Sequence, residues 1–87
     1  MKLMLCTECH DLVALYHKER KCLCGKIKGK YLNSIDVEVS KEAIVIGFSN
    51  TSLMEAIEHL KNNPNSERGK DIKSFIISNN CKSIKRT

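Results

Sequence analysis

Four cysteines near the N-terminus are the residues whose type and spacing most clearly indicate chemistry. They form two close pairs, Cys6 with Cys9 and Cys22 with Cys24, with 12 residues between the pairs. Two pairs of thiolates that converge on one point offer the tetrahedral sulfur ligands that Zn²⁺ takes in structural sites. Because the protein fills all four positions, none remains open for water or substrate. The sequence therefore predicts one structural Zn²⁺ on Cys6, Cys9, Cys22 and Cys24, with iron as a chemically acceptable alternative.

The second cysteine pair leaves other ligand sets open. Its cysteines are separated by one residue, whereas about two to four residues is the usual spacing in zinc sites. We therefore keep open a site in which His10 or His17 replaces one thiolate. The segment Cys6–His10 also matches the pattern for covalent haem attachment, an interpretation that leaves the second pair unexplained. The fifth cysteine, Cys81, is interpreted as a free thiol.

The chain has 87 residues, a net charge of +5 and 29% charged residues, which predicts one small globular domain. Chains this short often need a metal or disulfides to complete a modest core. No apolar run approaches the roughly 20 residues of a membrane span, and residues 1–5 are too few for the apolar part of a signal peptide. We therefore expect a cytoplasmic protein of a bacterium or an infected cell, where paired cysteines indicate a metal rather than disulfides.

Apolar patterns predict several strands. Residues 2–5 and 12–16 flank the first cysteine pair and have strand length. Residues 35–39 alternate between apolar and polar side chains, the period of a strand with one solvated face. Residues 43–46 are apolar at every position and predict a central strand that is buried on both faces. We expect these last two segments to form an antiparallel hairpin, and residues 74–77 to add a short strand.

The clearest helix signal follows the predicted central strand. Ser52 with Glu55 three residues later is a capping-box pattern, and Asn50 or Thr51 is an alternative cap. An apolar stripe at helical spacing and a stop at Pro64 complete the signal. The stripe consists of Leu53, Ala56, Ile57 and Leu60.

Together these patterns predict an α+β fold in a single domain of residues 1–87. Residues 1–30 are expected to form an N-terminal zinc ribbon, a β-hairpin with two cysteine knuckles. Residues 31–78 are expected to form a small antiparallel sheet with one α-helix, on which the ribbon packs. Residues 79–87 are basic and are expected to be a flexible tail.

Two further sets of residues have the composition of binding sites. A basic stretch around the second cysteine pair, with the basic tail, offers contacts for nucleic acid. The turn before the predicted helix offers N–H groups and hydroxyls to an anion, although a turn plus a helix cap accounts for the same residues. No carboxylate pair or Ser/His/Asp spacing indicates an active site, so we expect no enzyme. The possible nucleic-acid contacts are Lys18, Arg20, Lys21, Lys26, Lys28 and Lys30, and the possible anion site is Ser49, Asn50, Thr51 and Ser52.

Four motifs in residues 3–60 together resemble those of a group of small zinc-ribbon-like proteins of bacteria and phages. They are Cys6-x-x-Cys9, Cys22-x-Cys24-Gly25, Gly29-x-Tyr31 and Gly47-Phe48-x-Asn50-x-Ser52. The resemblance implies a single-domain zinc protein of about this length and brings no established activity with it. Phage proteins of this size often inhibit or regulate host proteins, which is an association at the level of the group.

We therefore expect a non-catalytic, zinc-binding interaction protein, a regulator or inhibitor that binds a protein partner through the predicted hairpin and helix. Direct nucleic-acid binding by the basic stretch is the alternative function. An enzyme or binder that acts on a phosphorylated small molecule at the turn of residues 47–52 is a third. The sequence does not indicate the oligomeric state.

Overall fold

A computed structural model describes all 87 residues and has the α+β composition that the sequence predicts. It contains eight short strands and one helix, and the 13-residue helix lacks the length and apolar character to cross a membrane. The strands are β1 Lys2–Leu5, β2 Leu12–Ala14, β3 Arg20–Lys21, β4 Lys28–Tyr31, β5 Val37–Val39, β6 Ile44–Phe48, β7 Ser74–Ile76 and β8 Ile84–Arg86, and helix α1 is Asn50–Asn62.

The strands form two four-stranded sheets, each of which combines early and late segments of the chain. The first sheet has the order β2-β1-β6-β7 and is antiparallel throughout. The second sheet has the order β3-β4-β5-β8, in which β8 runs parallel to β5 and the other neighbours are antiparallel. The predicted boundary at residue 30 therefore does not coincide with a boundary between the sheets.

The predicted hairpin of residues 35–39 and 43–46 is wrong. β5 pairs with β4 and β8 in the second sheet, whereas β6 pairs with β1 and β7 in the first. The turn between them, in which the Ala43 N–H donates to the Ser40 carbonyl oxygen at 3.1 Å, carries the chain from one sheet to the other. Sequence spacing does not distinguish this crossing from a hairpin, because both place a tight turn between two apolar strands.

The hydrophobic core lies between the facing sides of the two sheets. Met4 and Val45 contribute to it from the first sheet, and Val37 and Val39 contribute from the second. The sheets approach each other closely at Gly29, where a Cβ atom would lie 2.8 Å from Cγ1 of Val39 and 3.0 Å from the sulfur of Met4. The absence of a side chain at this position therefore allows the two layers to pack.

The opposite side of the first sheet, which we call the outer face, is also apolar. Alternation along each strand places the side chains between the core-facing ones on this side. The sequence predicts that residues 43–46 are buried on both faces, whereas Val45 is buried and its neighbours Ile44 and Ile46 are only partly buried. The apolar side chains of the outer face are Leu3, Leu5, Leu12, Ala14, Ile44, Ile46, Phe48 and Ile76.

Helix α1 is capped by a residue outside the predicted set. The cap is Ser49, whose Oγ accepts a hydrogen bond from the backbone N–H of Ser52 at 3.3 Å. The predicted caps Asn50, Thr51 and Ser52 are wrong because all three lie within the first turn. The predicted apolar stripe is present on the helix, but no residue of the helix is buried.

The C-terminal segment is not the flexible tail that its composition predicts. β8 extends the second sheet beside β5, and Ile84 is buried in the core. The guanidinium group of Arg86 donates hydrogen bonds to three backbone carbonyl oxygens within residues 40–43 and to Oδ1 of Asn79. A single apolar residue among basic ones is too weak a pattern to predict a strand, so the sequence alone did not reveal β8.

We expect Arg86→Ala to lower the free energy of unfolding by about 1–3 kcal/mol, because partly buried carbonyl oxygens would lose a charged hydrogen-bond donor. Lys85→Ala is the matched control, since the Lys85 side chain lies in the same strand and is exposed. Denaturant unfolding of the two metal-loaded variants measures the difference. Equal stability of both variants would contradict the anchoring role of Arg86.

Candidate metal centre

Two hairpin loops carry the four N-terminal cysteines. Cys6 and Cys9 lie in the loop between β1 and β2, which belong to the first sheet. Cys22 and Cys24 lie in the loop between β3 and β4, which belong to the second sheet. We call these the first and second cysteine loops. The four cysteines thus bring together one hairpin from each sheet.

Each cysteine loop is closed by a backbone hydrogen bond, and the two bonds are equivalent in position. In the first loop, the backbone N–H of Cys6 donates to the carbonyl oxygen of Asp11 at 3.1 Å. In the second loop, the backbone N–H of Cys22 donates to the carbonyl oxygen of Ile27 at 3.2 Å. Each bond joins the first cysteine of a pair to the residue five positions later. The two loops therefore have the same overall length, although their cysteines are spaced differently.

The two cysteine pairs differ in spacing by one residue, and a tighter turn inside the second loop accommodates this difference. The His10 N–H donates to the carbonyl oxygen of Cys6 at 2.9 Å, four residues back, and the Gly25 N–H donates to that of Cys22 at 3.0 Å, three residues back. Both donors directly follow the second cysteine of their pair, and both have positive φ, 58° for His10 and 75° for Gly25. The inner turn of the second loop is thus one residue tighter, and glycine supplies the left-handed conformation there without strain.

The sulfur atoms of Cys6, Cys9, Cys22 and Cys24 form a compact group. All four lie within 4.8 Å of one another, and the Cys24 sulfur is 3.6 Å from that of Cys6 and 3.5 Å from that of Cys22. Sulfurs at the corners of a tetrahedron around a metal, with metal–sulfur bonds of about 2.3 Å, are roughly 3.8 Å apart. The group therefore has the dimensions of a four-thiolate metal site.

Polar contacts between the cysteine loops hold the two pairs together. The backbone N–H of Leu23 in the second loop donates to Oδ2 of Asp11 in the first loop at 2.9 Å. The Lys26 ammonium group lies 2.8 Å from Oε1 of Glu8, again across the two loops. The sequence predicts no role for Asp11 or Glu8, because nothing in their spacing indicates which loop would face them.

The site is enclosed on one side and open on the other. Cys6 and Cys22 are buried, Cys9 is half-buried and Cys24 is exposed. Leu23, between the two cysteines of the second loop, is 86% exposed. The cysteine cluster therefore reaches the surface at the second cysteine loop, where the apolar side chain of Leu23 is exposed.

Backbone N–H groups favour the thiolate forms of two of the four cysteines. The N–H of Ile27 is the largest cause that lowers the pKa of Cys22, to about 6, with smaller contributions from the neighbouring thiols. The N–H groups of Cys24 and then Asp11 lower the pKa of Cys9. Thiolates are the form that binds a metal, so the loop backbone prepares these two ligands before a metal arrives.

The pKa of Cys24 is shifted in the opposite direction, upward. The backbone N–H of Lys26 lowers its pKa, but the neighbouring thiols of Cys22 and Cys6, together with burial, raise it to about 12. Four thiolates in so small a volume repel one another, and a bound cation relieves this repulsion. The arrangement is therefore suited to a cation that displaces the last protons from the cluster.

The alternative ligand sets are not supported by the geometry. The only group of three or more potential metal ligands that the structure brings together consists of the four cysteines, so neither His10 nor His17 joins it. His17 instead lies against the rings of Tyr16 and Tyr31. The haem interpretation does not explain why the first cysteine pair faces the second. Cys81 lies outside the cluster, with its sulfur 3.1 Å from Oγ of Ser83.

The predicted nucleic-acid contacts are partly occupied by other interactions. Lys26 and Lys28 form ion pairs with glutamates at 2.8 and 3.8 Å, and Arg20 donates to a backbone carbonyl oxygen at 3.2 Å. The ion pairs of the structure do not involve the other three residues, Lys18, Lys21 and Lys30.

The possible anion site at residues 49–52 lies at the start of helix α1, where its polar groups form hydrogen bonds within the protein. Oγ of Ser52 donates to the carbonyl oxygen of Ser49 at 3.0 Å and accepts the backbone N–H of Lys73 at 2.8 Å. Oδ1 of Asn50 accepts a hydrogen bond from the N-terminal ammonium group at 3.3 Å. These contacts account for Ser49, Asn50 and Ser52 without an anion, and Thr51 is exposed.

Comparisons of the chain with protein-family models, curated proteins and solved structures find no match. Membership in the zinc-ribbon-like group therefore stays a prediction that rests on the cysteine motifs.

We expect the purified protein to contain about one metal ion per chain and Cys22→Ser to lose it, because a site with three thiolates binds far more weakly. Cys81→Ser is the matched control, since Cys81 lies outside the cluster. Elemental analysis of the three proteins measures the metal content. Metal loss from both variants, or from neither, would contradict the assignment of the four ligands.

Acid should release the metal, because protons compete with it for the thiolates. In the metal-free chain Cys22 takes up its proton as the pH falls through its pKa of about 6, so the affinity of the site should fall more steeply with pH below that value. The sign follows from the lowered pKa of Cys22: a thiol that ionises more readily in the folded chain stabilises the fold above its unfolded pKa. That contribution is lost as the pH falls through the folded value. Release is measured with a chromophoric chelator. Metal that stays bound in strong acid would contradict ligation by thiolates.

Proposed function

We propose that the cysteine cluster holds one structural Zn²⁺ and that the protein acts by binding another protein rather than by catalysis. The observation that carries this proposal is the grouping of four cysteine sulfurs within 4.8 Å. Four protein ligands complete a tetrahedral site and leave no position at which the metal could activate water or substrate. Thiolates and tetrahedral geometry suit zinc, and iron is the alternative that an absorption spectrum would reveal.

Leu23 is the residue through which we propose that zinc and partner binding are connected. It is 86% exposed, and the residues on both sides of it are ligands of the proposed metal. An exposed leucine ordinarily needs no explanation, but one held between two metal ligands has little freedom to move. Metal binding therefore presents Leu23 in a fixed position and lowers the entropy lost on association.

A regulator or inhibitor of its protein partner is the role that we infer for such a molecule. Its size and the exposed apolar residue beside the metal support binding, and the resemblance to small phage and bacterial zinc-ribbon-like proteins agrees with this role. Nucleic-acid binding is the second candidate, supported by Lys18, Lys21 and Lys30, which are free of ion pairs. Base stacking near this stretch has only Tyr16 and Tyr31 available.

Capture of a partner from a lysate of the source cell tests this function. We expect the metal-loaded protein to retain a protein partner, Leu23→Asp to lose the partner while keeping its metal, and Cys22→Ser to lose both. Ile35→Asp is the control, because Ile35 is 64% exposed and lies beside Lys2, at the end of β1 opposite the first cysteine loop. Metal content of every sample is measured together with the captured protein.

Salt distinguishes the two candidate partners. An apolar contact at Leu23 should persist as salt rises, whereas binding to phosphates weakens steeply. Capture that survives high salt and nuclease supports a protein partner. Capture that disappears under either treatment, or that is equal for the protein and Leu23→Asp, would contradict the proposal.

A further inference from the structure

The first sheet and the helix that follows it leave a large apolar surface without a partner. The outer face defined above consists of aliphatic side chains and one phenylalanine, and Leu12 and Ile76 on its two edge strands are exposed. The apolar stripe of helix α1 is exposed as well, with Leu60 59% exposed. Monomeric proteins rarely leave more than a few hundred Å² of contiguous apolar surface uncovered.

The outer face and the helix stripe form one continuous surface. A cavity of about 220 Å³ lies where they meet and is lined by Met1, Leu3, Phe48, Leu53 and Ile72, all of them apolar. Leu3 and Phe48 belong to the outer face, and Leu53 belongs to the helix stripe. The sheet and helix therefore resemble the two arms of an L whose inner side is mostly apolar, with Ser74 as a polar position on the outer face.

Hydrogen bonds hold the helix in this projecting position. The Ser49 N–H donates to the carbonyl oxygen of Lys73 at 2.9 Å, and the Lys73 N–H donates to Oγ of Ser52 at 2.8 Å. Only Ser49 lies between the end of β6 and the start of the helix. The chain therefore has little slack with which to turn the helix back over its own sheet.

We propose that the occupant of this surface is a second copy of the chain, with each helix α1 lying across the outer face of the other copy's first sheet. A two-fold axis makes such an exchange reciprocal, so both arms of both copies are covered. A helix of 13 residues is about 20 Å long, which matches the roughly 15–20 Å width of a four-stranded sheet.

The area available is sufficient for a stable dimer. Covering the exposed parts of the outer face and of the helix stripe would bury on the order of 600–800 Å² per copy, close to the amount that a specific interface of standard size requires. No charged side chain belongs to the outer face, so its burial carries no ionic desolvation cost. A 13-residue helix with no buried residue also gains the packing that short helices need for stability.

The mass of the metal-loaded protein in solution tests this proposal. We expect sedimentation equilibrium to give twice the chain mass of 9.9 kDa. Leu60→Glu on the helix and Ile76→Lys on the outer face should each give a monomer, because either charge would be buried in the interface. Ile35→Glu, at a residue equally exposed but outside the surface, should remain a dimer.

Mixing the two monomeric variants tests the reciprocal geometry. In a mixed dimer, one helix–sheet contact is entirely wild type. The other contact contains both substitutions, which place a carboxylate on the helix opposite an ammonium group on the sheet. We therefore expect an equimolar mixture of Leu60→Glu and Ile76→Lys to recover dimers that neither variant forms alone. Unchanged metal content and circular dichroism show that the variants remain folded.

A wild-type protein that is monomeric at every accessible concentration would overturn the proposal and leave the surface to a different partner or to its own helix. A dimer that persists in both Leu60→Glu and Ile76→Lys, or a mixture that stays monomeric, would also overturn it. The proposal does not rest on the metal or on partner binding at Leu23. A monomeric protein that still captures its partner through Leu23 would overturn the dimer alone.

Discussion

The convergence of four cysteine sulfurs from two hairpins is the constraint on which the rest of the structure depends. One hairpin begins the first sheet and the other begins the second, so a metal on these cysteines joins the two layers. The core between the layers has only 11 residues. In small zinc domains the metal contributes about 10 kcal/mol or more, comparable to the whole stability of an ordinary domain. A metal bound by these cysteines would therefore contribute to the stability of the fold on the same scale as the core does.

The sequence predicts the ligands better than the architecture around them. Cysteine pairs are short local signals, and the four residues they indicate do come together. Sheet pairing is a long-range property, and nothing local reveals that β6 pairs with β1, far away in sequence, rather than with its neighbour β5. Strand β8 is not predicted for the same reason. Ile84 is buried by strands that lie far from it in the sequence.

The helix cap and the outer face illustrate two different limits of sequence reasoning. At the cap, Ser49 and Ser52 have the same chemistry, and only the position at which β6 ends selects Ser49. At the outer face, the pattern of residues 43–46 predicts burial on both sides of the strand, whereas Val45 is buried and Ile44 and Ile46 are only partly buried. A single chain supplies full burial on one side only. The pattern and the isolated fold are consistent with each other if a second molecule covers the outer face.

The positions of the two surfaces indicate how they would work together. The first cysteine loop follows the Leu5 end of β1, whereas helix α1 follows β6 next to the opposite end of β1, where Lys2 pairs with Gly47. A dimer formed through the helix and the outer face therefore leaves Leu23 of each copy free. Two identical contacts on one rigid particle bind a partner with two sites, or two adjacent partners, far more tightly than one contact does. If both proposals hold, self-association would strengthen a single weak contact at Leu23, and a metal on the cysteine cluster would fix the position of Leu23 in each copy.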